Sequence, residues 1–167
     1  MTSIDTTAAR LTDQQLGTIF QYTMEAYKTF QKLAETLPNP MTMMMFKHFA
    51  IDEREARDLL EVKYLSNAAS RVRVTLGGDL LFQDMLEGDL SYREMTEFLI
   101  ARERTMERKL SELTRSAATT DRNLLIYLGA AKRAHIVMLE RELELIRIYP
   151  DWYKREDAES VIVHGIT

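Results

Sequence analysis

The sequence predicts an all-α protein that folds as a four-helix bundle. Only six Gly and three Pro occur among 167 residues, so long stretches contain no helix-breaking residue. Apolar residues recur with the 3.6-residue period of an amphipathic helix in four separate stretches. Turn-forming residues gather between those stretches, around residues 38–40, 66–90 and 150.

Composition excludes several classes of protein. Apolar residues make up 46% and charged residues 29% of the chain, which is typical of a soluble globular protein. The net charge is −4 and basic residues alternate with acidic ones, so no nucleic-acid partner is expected. The chain has no cysteine, which excludes disulfides and iron–sulfur clusters. No apolar run suits a membrane span and the N-terminus is unlike a signal peptide, so we expect a cytoplasmic protein.

The first half of the bundle is predicted as a helical pair. Residues 1–11 form a flexible arm, and the bundle occupies residues 12–149. Thr12 or Asp13 caps a first helix that runs to about Leu37, where Pro-Asn-Pro at 38–40 stops it. A second helix runs from about residue 40 to residue 65. The predicted inward positions are Leu16, Ile19, Phe20, Ala26, Tyr27, Phe30, Leu33 and Leu37 in the first helix, and Met45, Phe46, Phe49 and Leu60 in the second.

The second half is predicted as another helical pair, reached by a long crossover. Residues 66–90 form this connection, with a short helical turn near residues 79–86, and its length lets the second and third helices run parallel. Ser91 begins the third helix, in a capping box with Glu94. Thr120 or Asp121 begins the fourth, which residue 150 ends. The tail, residues 150–167, is extended in character around residues 160–163.

Polar residues interrupt the apolar face of each helix at one level. The fourth helix carries Lys132 and His135 one turn apart, which would be costly to bury without partners. Equivalent positions are Thr23 in the first helix, Glu53 and Ala56 in the second and Glu103 in the third. Sequence offsets of 79 or 80 residues relate these positions in the two helical pairs. All six positions are therefore predicted to converge in the core.

Other polar residues are predicted to lie away from this level. Glu25 lies about 200° around the first helix from Thr23, so it should face solvent. Asp52 and Glu55 are also off the inward line of the second helix. Three tyrosines are predicted to pack in the core near the six converging positions, each with a hydrogen-bonded hydroxyl, namely Tyr22, Tyr27 and Tyr127.

Three segments, residues 45–56, 94–113 and 128–140, resemble the rubrerythrin branch of the ferritin-like di-iron carboxylate superfamily. The resemblance extends over roughly residues 12–149. It implies a ferritin-like four-helix bundle with a long crossover between helices 2 and 3. In that family the first and third helices each give one Glu, and the second and fourth each give a Glu-x-x-His. These residues hold two iron ions that reduce peroxide or activate oxygen.

Only half of the family's ligand positions are kept. The matching residues are Glu53, Glu103 and His135, and the departing ones are Thr23, Ala56 and Lys132. Lys132 stands where the family has a Glu that bridges both metals. Its ammonium would repel a metal ion and can donate hydrogen bonds to Glu53 and Glu103. The resemblance therefore implies a degenerate di-iron site with a buried Glu53–Lys132–Glu103 cluster, His135 beside it, and no bound cofactor.

Two other functions of these core residues stay open. Glu53, Glu103 and His135 could hold one iron or manganese ion if Lys132 swings away, as in a metal-dependent oxidoreductase. Alternatively, a desolvated Lys132 with a lowered pKa could act as a base or bind a carbonyl compound. The small residues Thr23 and Ala56 leave room for a cavity or a water molecule. Related bundles form dimers, so a homodimer is expected, with the crossover and the tail as candidate contact segments.

Overall fold

Four long helices form a bundle in the computed structural model, which describes residues 10–66, 74–82, 85 and 88–156. They are α1 (Asp13–Thr36), α2 (Pro40–Ser66), α3 (Tyr92–Ser116) and α4 (Thr119–Ile148), and a 3₁₀ turn follows at Trp152–Lys154. These residues contain no β-strand. The prediction of an all-helical bundle of four helices is confirmed. Among the described helices, none combines the length and apolar character that a membrane span requires.

Side-chain caps begin the first two helices. Thr12 forms a capping box with Gln15, in which each side chain accepts a hydrogen bond from the backbone N–H of the other residue. Asn39 then begins α2, because its side-chain oxygen accepts from the backbone N–H groups of Met41 (2.9 Å) and Thr42 (3.0 Å). The Pro-Asn-Pro stretch therefore both stops α1 and starts α2.

The two later helices begin differently from each other. The Ser91 side chain accepts a hydrogen bond from the backbone N–H of Glu94, which caps α3. The fourth helix begins at Thr119 after Ala118, which makes no side-chain cap. The predicted start at Thr120 or Asp121 is one or two residues later than the observed start. The carboxylate of Asp121 pairs with Lys63 of α2 and accepts from the backbone N–H of Leu11.

The core lies between two packed helical pairs, α1 with α2 and α3 with α4. Three side-chain pairs show that α2 and α4 run antiparallel: Lys63 with Asp121, Glu53 with Lys132, and Thr42 with Glu142. The connection from α2 to α3 adds buried apolar residues to the core, namely Leu76, Leu80, Phe82 and Met85. Part of the predicted turn at 79–86 and the predicted extended segment at 160–163 lie outside the described residues.

Candidate functional site

Charged side chains from three helices meet at the centre of the bundle. Glu53 of α2, Glu103 of α3, and Lys132 and His135 of α4 are all buried. The ammonium of Lys132 donates a hydrogen bond to the carboxylate of Glu53, and its nitrogen lies 3.2 Å from Oε2 of Glu103. A positive charge therefore lies between two buried carboxylates. We call these four residues the buried cluster.

His135 is held between two carboxylates. Its Nδ1 lies 2.8 Å from Oε1 of Glu103, and its Nε2 lies 2.8 Å from Oδ2 of Asp52. A ring nitrogen with a lone pair would repel an ionised carboxylate at this distance, so the geometry favours an imidazolium, in which both nitrogens donate. Burial lowers the pKa of His135, but the hydrogen bonds to Asp52 and Glu103 raise it more, to above its ordinary value.

Asp52 lies off the inward line of α2, as predicted, but its contact with the buried cluster was not foreseen. Its side chain is 45% exposed, yet it reaches from the border of α2 to His135 on the neighbouring helix. The helical period, which is read from α2 by itself, places Asp52 off the inward line of that helix. The position of α4 beside that border decides the contact.

Tyr22 supplies a further partner for Glu103. Its hydroxyl donates to Oε2 of Glu103 over 2.7 Å, and its ring lies 4.9 Å from the nitrogen of Lys132. Burial raises the pKa of Glu103. Lys132 and His135 lower this pKa by more than burial raises it, so the net value is about 2. Burial and the negative charge of Glu103 raise the pKa of Tyr22 well above its ordinary value, so Tyr22 is a neutral donor.

Glu53 has fewer partners than Glu103. Its Oε1 accepts from Lys132, while its buried Oε2 has no hydrogen-bond partner among the described residues. Burial raises the pKa of Glu53 above its ordinary value, and the opposing effect of Lys132 is smaller. A cavity of about 10 Å³ adjoins this carboxylate, lined partly by Thr23 and Ala56. Such a volume holds about one water molecule.

Thr23 lines the cavity beside Glu53, whereas the other candidate residues have partners or surroundings outside the buried cluster. The buried hydroxyl of Thr23 donates to the backbone oxygen of Ile19 within α1. Glu25 accepts from the amide of Gln21 on the same helix, 3.0 Å away. Tyr127 is 45% exposed, so the prediction that it packs in the core is wrong. Tyr27, partly buried, lies beneath the guanidinium of Arg57.

A further buried carboxylate, Glu142, was missed in the sequence. It accepts hydrogen bonds from the Thr42 hydroxyl (2.6 Å), the Tyr92 hydroxyl (2.9 Å) and the Trp152 indole (3.3 Å). Glu142 follows His135 by two helical turns, so it falls on the same face of α4. That spacing was the available signal. The acidic residues around Glu142 concealed it, since an acidic run is usually a solvated face.

The donor set does not fit a pair of iron ions. One ligand atom from each of Glu53, Glu103 and His135 lies within 4.8 Å of the others, an arrangement that suits a single ion. A di-iron site uses about four carboxylates to neutralise two cations. Here two carboxylates of the buried cluster already pair with Lys132. Even a single ion requires the ammonium to leave or to lose its proton.

Comparison with known proteins defines the fold class. No family model matches the sequence, and no curated protein sequence does. In three dimensions the chain is similar to a hypothetical protein from Pyrococcus furiosus, with a TM-score of 0.68 and 17% sequence identity. The similarity covers 82% of this chain and 90% of that one. At this identity it shows a shared fold alone, so the class is an all-helical bundle with charged groups in its core.

Proposed function

We propose that this protein is a ferritin-like bundle related to rubrerythrins whose di-iron site has been replaced by side-chain ion pairs. The observation that carries the proposal is the ammonium of Lys132 between Glu53 and Glu103. Burial lowers the pKa of Lys132, but the two carboxylates raise it more, which favours the charged ammonium. A charged lysine is neither a base nor a nucleophile, which counts against the use of Lys132 in carbonyl chemistry.

Charge balance supports the same proposal. Lys132 and the imidazolium of His135 supply two positive charges, and Glu53, Glu103 and Asp52 surround them. Two buried cationic side chains thus take the electrostatic part that two metal ions have in the resembling family. The cluster is also closed to substrates, because its residues are buried and the adjoining cavity has room for about one water. These features favour a non-catalytic role for the buried cluster.

A second candidate function is a one-metal oxidoreductase that uses Glu53, Glu103 and His135 with iron or manganese. The spacing of their ligand atoms within 4.8 Å favours it, as does the unpaired Oε2 of Glu53. It requires Lys132 to be displaced and His135 to give up a proton, since an imidazolium has no lone pair for a metal.

Metal analysis distinguishes the two candidates. We expect protein expressed in medium rich in iron and manganese to contain no stoichiometric metal. A stoichiometric metal that is lost in Glu53→Ala would overturn the proposal and establish the metal-dependent alternative.

Restoration of the ligand set tests the proposed alignment with the family. The triple variant Thr23→Glu, Ala56→His, Lys132→Glu is expected to bind iron, because it supplies the missing donors and removes the ammonium. The double variant Thr23→Glu, Ala56→His is the matched control, since it adds ligands but keeps the ammonium of Lys132 between Glu53 and Glu103, and it should stay metal-free. A folded triple variant that takes up no iron would refute the alignment.

A further inference from the structure

The outer face of α2 carries a stripe of exposed apolar side chains. Their exposed fractions range from 41% to 72%, and the residues are Met41, Met44, Ile51, Leu59 and Val62. The opposite face of α2 buries Phe46, Phe49 and Leu60 in the core. A helix that is apolar on both faces is typical of one with a partner on each side. On α1 and α3 the described residues include no exposed large apolar side chain, whereas α4 exposes Ile126, Tyr127, Val137, Met138 and Ile148, so the exposed apolar surface lies on the side of the bundle formed by α2 and α4.

The stripe has the spacing of a helix–helix interface. Its positions are 41, 44, 48, 51, 55, 59 and 62, in steps of three and four residues, and it extends over about 32 Å of helix. Two positions within it are polar, His48 and Glu55, and both are exposed. The α4 residue Tyr127 lies near Glu55 and is itself 45% exposed, which widens the surface beside that position.

The stripe is complementary to itself when two copies of α2 run antiparallel. Met41 then faces Val62 of the second copy, and Met44 faces Leu59. These pairs place the two-fold axis between residues 51 and 52, so Ile51 lies beside its own equivalent. The same register places His48 opposite Glu55 of the second copy, so the two polar interruptions pair with each other. A parallel arrangement would instead set Glu55 against Glu55, which like charges disfavour.

We propose that this face is the interface of a homodimer with two-fold symmetry, in which the α2 helices pack antiparallel about Ile51. Such an isologous interface requires a patch that matches itself, which the His48–Glu55 register provides. The occupant is a second copy of this chain. The inference is independent of the metal content of the buried cluster.

Cross-linking of single-cysteine variants tests the register, because the natural chain has no cysteine. With a short thiol cross-linker, Ile51→Cys should form a linked dimer. Met44→Cys alone and Leu59→Cys alone should not, whereas a mixture of the two should. Val137→Cys, on the exposed apolar surface of α4, is the control for an interface formed by α4 instead and should stay unlinked. Self-linking of Met44→Cys would show a parallel pair and overturn the proposal, as would no linking of Ile51→Cys.

Sedimentation equilibrium tests the dimer itself. The natural protein should be dimeric, Ile51→Glu should be monomeric with unchanged helicity, and Val137→Glu should remain dimeric. His48→Glu should weaken the dimer roughly tenfold or more through like-charge contacts, and His48→Glu with Glu55→Lys should restore it. A monomeric natural protein, or a dimer that Ile51→Glu leaves intact, would refute the interface.

Discussion

Nε2 of His135 lies 2.8 Å from Oδ2 of Asp52, so a buried imidazole is hydrogen-bonded to a carboxylate at the surface. The other ring nitrogen binds Glu103 in the core. Through this ring the buried cluster is connected to solvent, although the cluster itself is enclosed. The protonation of His135 should therefore respond to the pH of the solution and influence the stability of the fold.

We expect stability to fall as pH rises above the ordinary pKa of His135. Because the folded protein raises this pKa above 6.5, the folded state holds the proton more tightly than the unfolded state does. The stabilisation is complete below pH 6.5 and is lost as pH rises through the folded-state pKa. Urea unfolding from pH 6 upward measures this loss, and ¹⁵N NMR at pH 6 should show both ring nitrogens of His135 protonated.

Asp52→Asn is the diagnostic variant for His135. It removes one of the two carboxylates that hold the imidazolium, so the pKa of His135 should fall and the loss of stability with pH should flatten. The exposed His48 gives an internal NMR reference that the substitution should leave unchanged. A His135 ring that is already neutral at pH 6 in the natural protein would contradict the assignment.

Lys132→Met should destabilise the fold by about 3–5 kcal/mol, because it leaves Glu53 and Glu103 without their shared cation. The double variant Lys132→Met, Glu53→Leu should lose less, since Glu103 keeps Tyr22 and His135 as partners. Chemical denaturation of the natural protein, both single variants and the double variant forms a double-mutant cycle.

The neighbouring Arg133 is the matched control for this cycle. It pairs with Glu107 at the surface, so Arg133→Met should cost about 1 kcal/mol or less. Equal losses at the two positions, or a double variant that is as unstable as the sum of the singles, would show that Lys132 and Glu53 are not coupled.

Glu142→Leu should release the segment that contains Trp152. The substitution removes the shared acceptor of Thr42, Tyr92 and Trp152, and each buried donor left without a partner costs about 1–3 kcal/mol. Trp152 is the chain's only tryptophan, so its fluorescence should shift to the red and become easier to quench. Glu140→Gln, on the exposed face of the same helix, should leave the emission unchanged.

Much of the helical architecture could be read from local patterns. Predicted limits such as Pro40 to residue 65 agree with the observed α2 within one residue, because proline and capping side chains act on neighbouring backbone. The level at which Glu53, Glu103, Lys132 and His135 meet was also predicted. Helical period places each of them on an apolar face, and the repeated offset relates the two pairs of helices.

The contacts that complete the site were not predictable in this way. Asp52 is 83 residues from His135, and Tyr22 is 81 residues from Glu103. Glu142 gathers donors from α2, α3 and the C-terminal turn. Periodicity along a chain tells which side of a helix is apolar, because burial repeats with each turn. It cannot tell which border residue of one helix comes within about 3 Å of an atom on another, since that distance depends on how the helices pack.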